Sequence, residues 1–251
     1  MRKIGILFVA LLMTLSSAVA QEIIDGKTGY ILVTANGSDT SMLSIDFMYY
    51  ADEDEAYKKV INDYIKGNTQ SWLANLGEKT KSELGEQLFA DKLNSFAKEF
   101  KKFENGEDGT MIWSLDESII IEDMESWIQV KISGWSYEGG AHGNGGQSAT
   151  LFSRDDGRVL KIEDFFTDID ALNARLDPLF RQQKELGPND DLSEAGYTFP
   201  DNKFVVNDNF YFTGRSFTVY FNSYEITDYA GGPTELEVPL GEIEDLLKMD
   251  M

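Results

Sequence analysis

The sequence predicts an α+β protein in which antiparallel or mixed sheets pack with long amphipathic helices, in two closely packed halves. Strand-like runs of apolar, β-branched and aromatic residues occur in groups, and other segments repeat apolar residues at helical spacing. No regular strand–helix–strand alternation runs along the chain. Grouped strands with separate helices indicate an α+β fold rather than a doubly wound parallel sheet.

The first elements are a strand pair and two helices. Residues 30–34 and 42–50 read as the strands. The acidic run 52–55 suits the positive N-terminal end of a helix, which continues to about Gly67. Residues 81–103 carry Leu and Phe three or four positions apart, and this spacing predicts a long amphipathic helix.

The middle of the chain predicts paired strands. Residues 111–121 and 126–137 are strand-like and are joined by a short charged connection. Residues 147–153 and 158–162 flank an Asp-Gly turn, which is a strong hairpin signal.

The last segment predicts one helix followed by aromatic strands. Residues 168–186 form the helix, which Pro178 is expected to kink or split. The remaining predicted elements are strands at 209–212, 217–221 and 236–240 and a terminal helix over 242–248.

The first twenty residues read as a cleavable secretory signal peptide. A basic pair at residues 2–3 precedes an apolar run of 12 residues, 4–15, and a small-residue cleavage site at 18–20. The apolar run is shorter than the roughly 20 residues that span a bilayer. We therefore expect the mature protein to begin near Gln21, to be periplasmic or secreted, and to keep no stable membrane anchor.

The chain is strongly acidic and lacks cysteine. Its formal net charge of −22 becomes −24 when the two basic residues of the signal peptide are removed. This charge argues against nucleic-acid and anionic-lipid partners, since both are bound through Lys and Arg. The negative charge is explained either by a contribution to solubility alone or by a cationic binding partner. Without Cys, thiol catalysis, thiolate metal sites and disulfides are excluded.

A glycine-rich loop follows the second middle strand and holds the only histidine. Five glycines fall within residues 139–146, which allows close backbone approach. The sequence contains one His and neither an HExxH nor a G-x-S-x-G pattern, so we assign no catalytic residue, metal ligand or cofactor. The acidic runs 52–55 and 189–191 do not match an EF-hand loop. The candidate binding residues in and before this loop are Tyr137, Glu138, Gly139, Gly140, His142 and Asn144.

Aromatic residues supply the other candidates. Tyr224 and Tyr229 lie in a predicted turn at 224–232, where aromatic side chains stand beside carboxylates. Trp127 and Trp135 are expected to be exposed if the protein binds the cell wall.

Three motifs carry a family resemblance: SYEGGAHGNGG, then LKIEDFF at 160–166, then the aromatic segment 210–240 with its Tyr-Glu-Ile and Ala-Gly-Gly turns. They resemble the RsiV-like family, the extracellular domains of lysozyme-sensing anti-sigma factors, with an accompanying PdaC-type N-terminal domain. After the signal peptide predicted at 1–20, the resemblance implies a PdaC-like half at 21–147 and an RsiV-like half at 148–251. It also implies a noncatalytic envelope module that binds protein, which is lysozyme in the sensing members.

The sequence therefore favours an exported, soluble, noncatalytic binding protein of the cell envelope. Its expected partner is lysozyme or another cationic envelope protein. The alternatives are a cell-wall carbohydrate enzyme using Glu138 with a second carboxylate, and a peptidoglycan-binding module using the exposed aromatic residues.

Overall fold

A six-stranded sheet dominates the first part of the computed structural model, which describes residues 23–33, 40–74, 114–137 and 141–248. The predicted signal peptide and the predicted helix 81–103 lie outside these residues. Within them, no helix is long and apolar enough to cross a membrane. The strands follow chain order across the sheet: β1 Ile23–Val33, β2 Thr40–Tyr50, β3 Ser114–Asp123, β4 Trp127–Tyr137, β5 Asn144–Ser153 and β6 Val159–Leu160.

The sheet is mixed, which confirms the predicted α+β class. β1 and β2 are antiparallel along their whole length, with Ile23 opposite Tyr50. β2 and β3 are parallel, with Asp46 opposite Ser118. Parallel neighbours need a long crossover, which the chain between β2 and β3 supplies. β1 starts seven residues before the predicted strand at 30–34, because ladder hydrogen bonds use the backbone and tolerate the glycines and Lys of this stretch.

Helix α1, Ala56–Ala74, follows β2 and presents one apolar stripe. Tyr57, Ile61 and Ile65 on this stripe are buried. Asn62 ties the helix to the strand end: its Oδ1 accepts from Tyr50 N at 2.9 Å, and its Nδ2 donates to Tyr50 O at 3.1 Å. A side-chain amide therefore takes the place that a neighbouring strand would occupy.

The C-terminal part is built on an antiparallel three-stranded sheet. Phenylalanine side chains fill its core, and the rings of Phe212 and Phe217 are 5.3 Å apart while those of Phe165 and Phe212 are 5.0 Å apart. The elements are α2 Ile162–Phe165, α3 Ile169–Gln183, β7 Phe210–Phe212, β8 Ser216–Phe221 and β9 Thr234–Pro239.

Side-chain amides link the three-stranded sheet to β4 and β5. Fully buried Gln129 accepts from Phe212 N at 2.8 Å and donates to Phe212 O at 3.1 Å. Asn209 accepts from Ala149 N at 2.8 Å and donates to Gln147 O at 2.9 Å. Each amide satisfies one N–H and one C=O that would otherwise be left without a ladder partner.

The expectation of long amphipathic helices is not confirmed. In the described ranges only α1, of 19 residues, and α3, of 15, are longer than one turn. α3 also continues through Pro178 instead of splitting, since buried Leu176 and Phe180 hold both sides of the proline on the core. The predicted helix at 242–248 is wrong, and two single 3-10 turns, Leu240–Glu242 and Glu244–Leu246, occupy most of it.

The described chain divides into two compact units that interleave along the sequence. Unit 1 holds the described residues up to Ile121 together with 132–145 and 155–157. Unit 2 holds 122–131, 146–154 and the described residues from Arg158 onward. The halves predicted at 21–147 and 148–251, with their close packing, stay predictions.

We expect Gln129→Leu to lower the free energy of unfolding by about 1–3 kcal/mol, because it leaves the buried N–H and C=O of Phe212 without partners. Urea denaturation measures this loss. Gln182→Leu, at an exposed position of α3, is the matched control, and its effect should stay within about 0.5 kcal/mol. Equal stability of the two variants would show that the Gln129 bridge contributes nothing.

Candidate functional site

The loop after β8 presents a pair of tyrosines. Tyr224 is 60 % exposed, and its ring centroid lies 5.6 Å from that of Tyr229. The backbone of Tyr224 has a φ of 68°, in the left-handed region that bulky side chains rarely adopt. Both residues were candidates from the sequence, and the structure brings them together.

Hydrogen bonds hold this loop, defined here as residues 222–232 and called the tail loop. The Glu225 carboxylate accepts from Asn222 N at 2.8 Å and from Asn207 Nδ2 at 2.5 Å. Asp228 accepts from Gly231 N at 2.9 Å and so caps the short 3-10 turn Tyr229–Gly231. The Glu225 bond to Asn222 N spans Tyr224 and fixes the backbone around it, and the Asp228 cap orders the turn that carries Tyr229.

Asn222 anchors the tail loop to β5. Its Oδ1 accepts from Gln147 N at 2.7 Å, and its Nδ2 donates to Gln147 O at 3.0 Å. A Cβ at Gly146 would approach the Asn222 Oδ1 to 3.1 Å. The glycine that precedes Gln147 thus leaves room for this anchor.

The structure describes only part of the predicted glycine-loop site. Glu138, Gly139 and Gly140 lie outside the described residues. His142 is exposed, and its Nδ1 lies 2.9 Å from Gly143 O, while Asn144 is the exposed first residue of β5.

The glycines of this loop lie against Trp135. A Cβ at Gly143 would be 2.3 Å from Trp135 Cζ2, and one at Gly145 would be 3.3 Å from Trp135 Cδ1. On its strand, Trp135 also stacks with Tyr137, with ring centroids 6.4 Å apart and planes 13° apart. The glycines thus let the backbone cover one side of the indole, which remains 44 % exposed.

Next to Trp135, unit 1 contains an open groove of about 270 Å³. Its described lining combines an indole, carboxylates and hydroxyls. The residues that line it include Asp46, Asp116, Glu117, Ser118, Ser133 and Trp135.

This groove was not predicted from the sequence, apart from Trp135. Asp46 lies on β2, and Asp116 and Glu117 lie on β3, more than 60 residues away. The parallel pairing of these strands brings Asp46 next to the strand that carries Asp116 and Glu117. No local sequence signal indicates that pairing, because the intervening segment gives no strand-to-strand turn.

The two acidic runs that could have bound calcium are engaged internally. Nearly buried Lys58 contacts Asp52 at 3.1 Å and Asp54 at 2.7 Å, and this ammonium lowers the pKa of Asp54. Asp191 accepts hydrogen bonds from the hydroxyl and the backbone of Ser193, which help to lower its pKa to about 2. Across the described residues, no three acidic or His side chains are arranged to hold a metal ion.

The expectation that Trp127 is exposed is wrong. It is buried, and its ring lies 5.2 Å from Phe165 and 5.5 Å from Phe212. The start of β4 is covered on both faces, so the alternation that suggested an exposed side chain does not apply there.

Fold and surfaces together define an α+β protein with a tyrosine-bearing loop on one unit and an acidic, tryptophan-lined groove on the other. Residues 163–241 match the model of the DUF3298 family, described as a protein of unknown function. The chain thus contains a DUF3298 domain, and this range includes both tail-loop tyrosines. No curated protein matches the sequence.

Two solved structures of DUF3298 family proteins share the fold. The protein from Bacteroides fragilis NCTC 9343 is 22 % identical, with a TM-score of 0.68 over 91 % of this chain and 94 % of its own. The protein from Pseudomonas aeruginosa PAO1 is 15 % identical, with a TM-score of 0.58 over 90 % of this chain and 94 % of its own.

We expect Gly143→Ala to displace the Trp135 indole, because the added methyl group would overlap the van der Waals spheres of the indole atoms. Acrylamide quenching of tryptophan fluorescence should then increase relative to the wild type. Gly214→Ala is the control, since a Cβ there meets nothing within 4 Å. Identical quenching of both variants and the wild type would contradict the contact.

Proposed function

We propose that this protein is an exported, noncatalytic binding protein of the cell envelope that recognises a cationic protein through its tail loop. It would act in the periplasm or outside the cell. Lysozyme is the best-defined candidate partner. The observation that carries the proposal is Tyr224, an exposed aromatic side chain held at positive φ beside Tyr229.

The conformation of Tyr224 supports a role in binding rather than in folding. A left-handed backbone costs a bulky residue on the order of 1–3 kcal/mol. Burial of the side chain does not offset this cost, because Tyr224 is 60 % exposed. The bonds of Glu225 to Asn222 and Asn207 maintain the conformation instead. Such strain in an exposed residue is typical of recognition sites.

The rigidity of the loop favours affinity. Tyrosines supply a large amphipathic contact area and lose little conformational entropy, particularly when their loop is already ordered. The Asn222 anchor on β5 supplies this order. A partner would therefore meet the two rings in a fixed arrangement.

Charge favours a basic partner. The formal net charge is −22, and Glu225 and Asp228 lie exposed within the tail loop. An acidic protein gains association rate with a basic one through electrostatic steering, and the gain decreases as salt screens the charges.

The family resemblance supplies the candidate partner. The RsiV-like and PdaC-type motifs point to an envelope module whose sensing members bind lysozyme. The DUF3298 match includes the whole tail loop.

We expect Tyr224→Ala to weaken lysozyme binding at least about tenfold, since buried aromatic anchors contribute most to interface energy. The measurement is a calorimetric titration of a c-type lysozyme into the protein at low and physiological salt. Tyr224→Phe should retain most of the affinity because it keeps the ring. Trp135→Ala, which removes an exposed aromatic from unit 1, should change it less than about threefold.

Absence of binding at both salt concentrations would remove lysozyme as the partner. Binding at low salt alone would indicate nonspecific charge attraction. Equal losses in Tyr224→Ala and Trp135→Ala would contradict the assignment of the contact to the tail loop.

A further inference from the structure

We propose that Asn144 is a site of spontaneous deamidation, in which the backbone nitrogen of Gly145 converts the asparagine into aspartate and isoaspartate. The proposal goes beyond the function above, because it concerns a covalent change on unit 1 that needs no partner. It depends on the exposure of Asn144, on a side-chain amide that bonds to none of the described residues, and on the glycine that follows.

The reaction is a cyclisation followed by a hydrolysis. Hydroxide removes the proton from the Gly145 nitrogen, which attacks Cγ of Asn144. A bond forms between these two atoms, the bond from Cγ to Nδ2 breaks, and the amide nitrogen takes a proton from water and leaves as ammonia. Water then opens the cyclic imide at either carbonyl, which gives aspartate or isoaspartate. In isoaspartate the backbone runs through the former side chain.

The position of Asn144 in β5 gives water access to the reacting atoms. Asn144 is the first residue of the strand, and the first three residues of β5 are exposed. Cyclisation requires the backbone of Asn144 to rotate out of the extended conformation, so that Cγ meets the next nitrogen. Chain segments that fray open at much lower free energy than the core of a sheet. The rotation therefore disturbs only the end of β5.

The side-chain amide of Asn144 is not held in place. It forms no hydrogen bond with any residue that the structure describes, whereas both amide atoms of Asn222 bond to Gln147. Asn209 is held in the same way, by Ala149 N and Gln147 O. Asn144 therefore reaches the reactive conformation without first breaking side-chain hydrogen bonds, and the other two asparagines do not.

Gly145 is required by the packing and also favours the reaction. A Cβ at this position would lie 3.3 Å from Gly134 O and 3.3 Å from Trp135 Cδ1. Glycine avoids this crowding, leaves its own nitrogen unshielded, and adopts backbone conformations that other residues rarely reach. The close approach of the backbone to the indole thus places the most permissive neighbour directly after Asn144.

Both products change the surface beside Trp135. Each replaces a neutral amide with a carboxylate, and isoaspartate lengthens the backbone by one carbon atom. The longer backbone displaces Gly145 from the indole, so we expect the exposed fraction of Trp135 to rise above its present 44 %.

Peptide mapping by mass spectrometry tests the proposal on the full chain incubated at pH 8 and 37 °C. We expect Asn144 to convert from amide to acid at least about tenfold faster than Asn222, which must first break two hydrogen bonds. Asn189 is the second internal control, because it is exposed and its amide bonds to no described residue, but Asp190 follows it. Equal conversion of Asn144 and either control, or no conversion of Asn144, would overturn the proposal.

Asn144→Gln links the modification to the indole, because glutamine would have to close a six-membered ring, which forms more slowly. After the same incubation, acrylamide quenching of tryptophan fluorescence should increase in the wild type and stay unchanged in this variant. The variant keeps the other Asn-Gly pairs of the sequence, at 36–37 and 105–106, and so controls for changes there. Thermal unfolding confirms that both proteins are folded at the start. An equal increase in both would contradict the displacement beside Trp135.

Discussion

Reciprocal hydrogen bonds from side-chain amides to backbone groups are the constraint on which much of the structure depends. Asn62, Gln129 and Asn222 each bond the N–H and the C=O of one residue, respectively Tyr50, Phe212 and Gln147. Asn209 does the same across Ala149 and Gln147. These amides occur where a strand end or edge lacks a neighbour. They fulfil the requirement that buried backbone groups be paired, and they do so without adding a strand.

The same bonds connect the core to the candidate binding surface of unit 2. The Asn222 anchor places the tail loop on β5, and Glu225 then fixes the backbone on either side of Tyr224. The exposed ring is thus part of a continuous hydrogen-bonded structure. In unit 1, glycines rather than amides support the exposed ring. The absence of Cβ atoms at Gly143 and Gly145 lets the loop backbone lie against Trp135. Both surfaces present an aromatic ring on a supported backbone.

Local patterns in the sequence predicted most strands, the hairpin at Asp155–Gly157 and the turn that carries both Tyr224 and Tyr229. The predictions from local patterns were wrong where contacts between residues distant in sequence determine the structure. α3 continues through Pro178 because its buried side chains are held on the core, and Trp127 is buried by Phe165 and Phe212, which are distant in sequence. The acidic groove depends on the parallel pairing of β2 with β3, which no local pattern encodes.

Hydrogen exchange of individual backbone amides tests the amide bridges most directly. The N–H groups of Gln147, Ala149 and Phe212 donate to the side chains of Asn222, Asn209 and Gln129. NMR of the ¹⁵N-labelled protein should show these three amides exchanging as slowly as the ladder amides between β8 and β9. Exchange of all three as rapid as that of exposed loop amides would contradict the claim that side-chain amides hold this structure together.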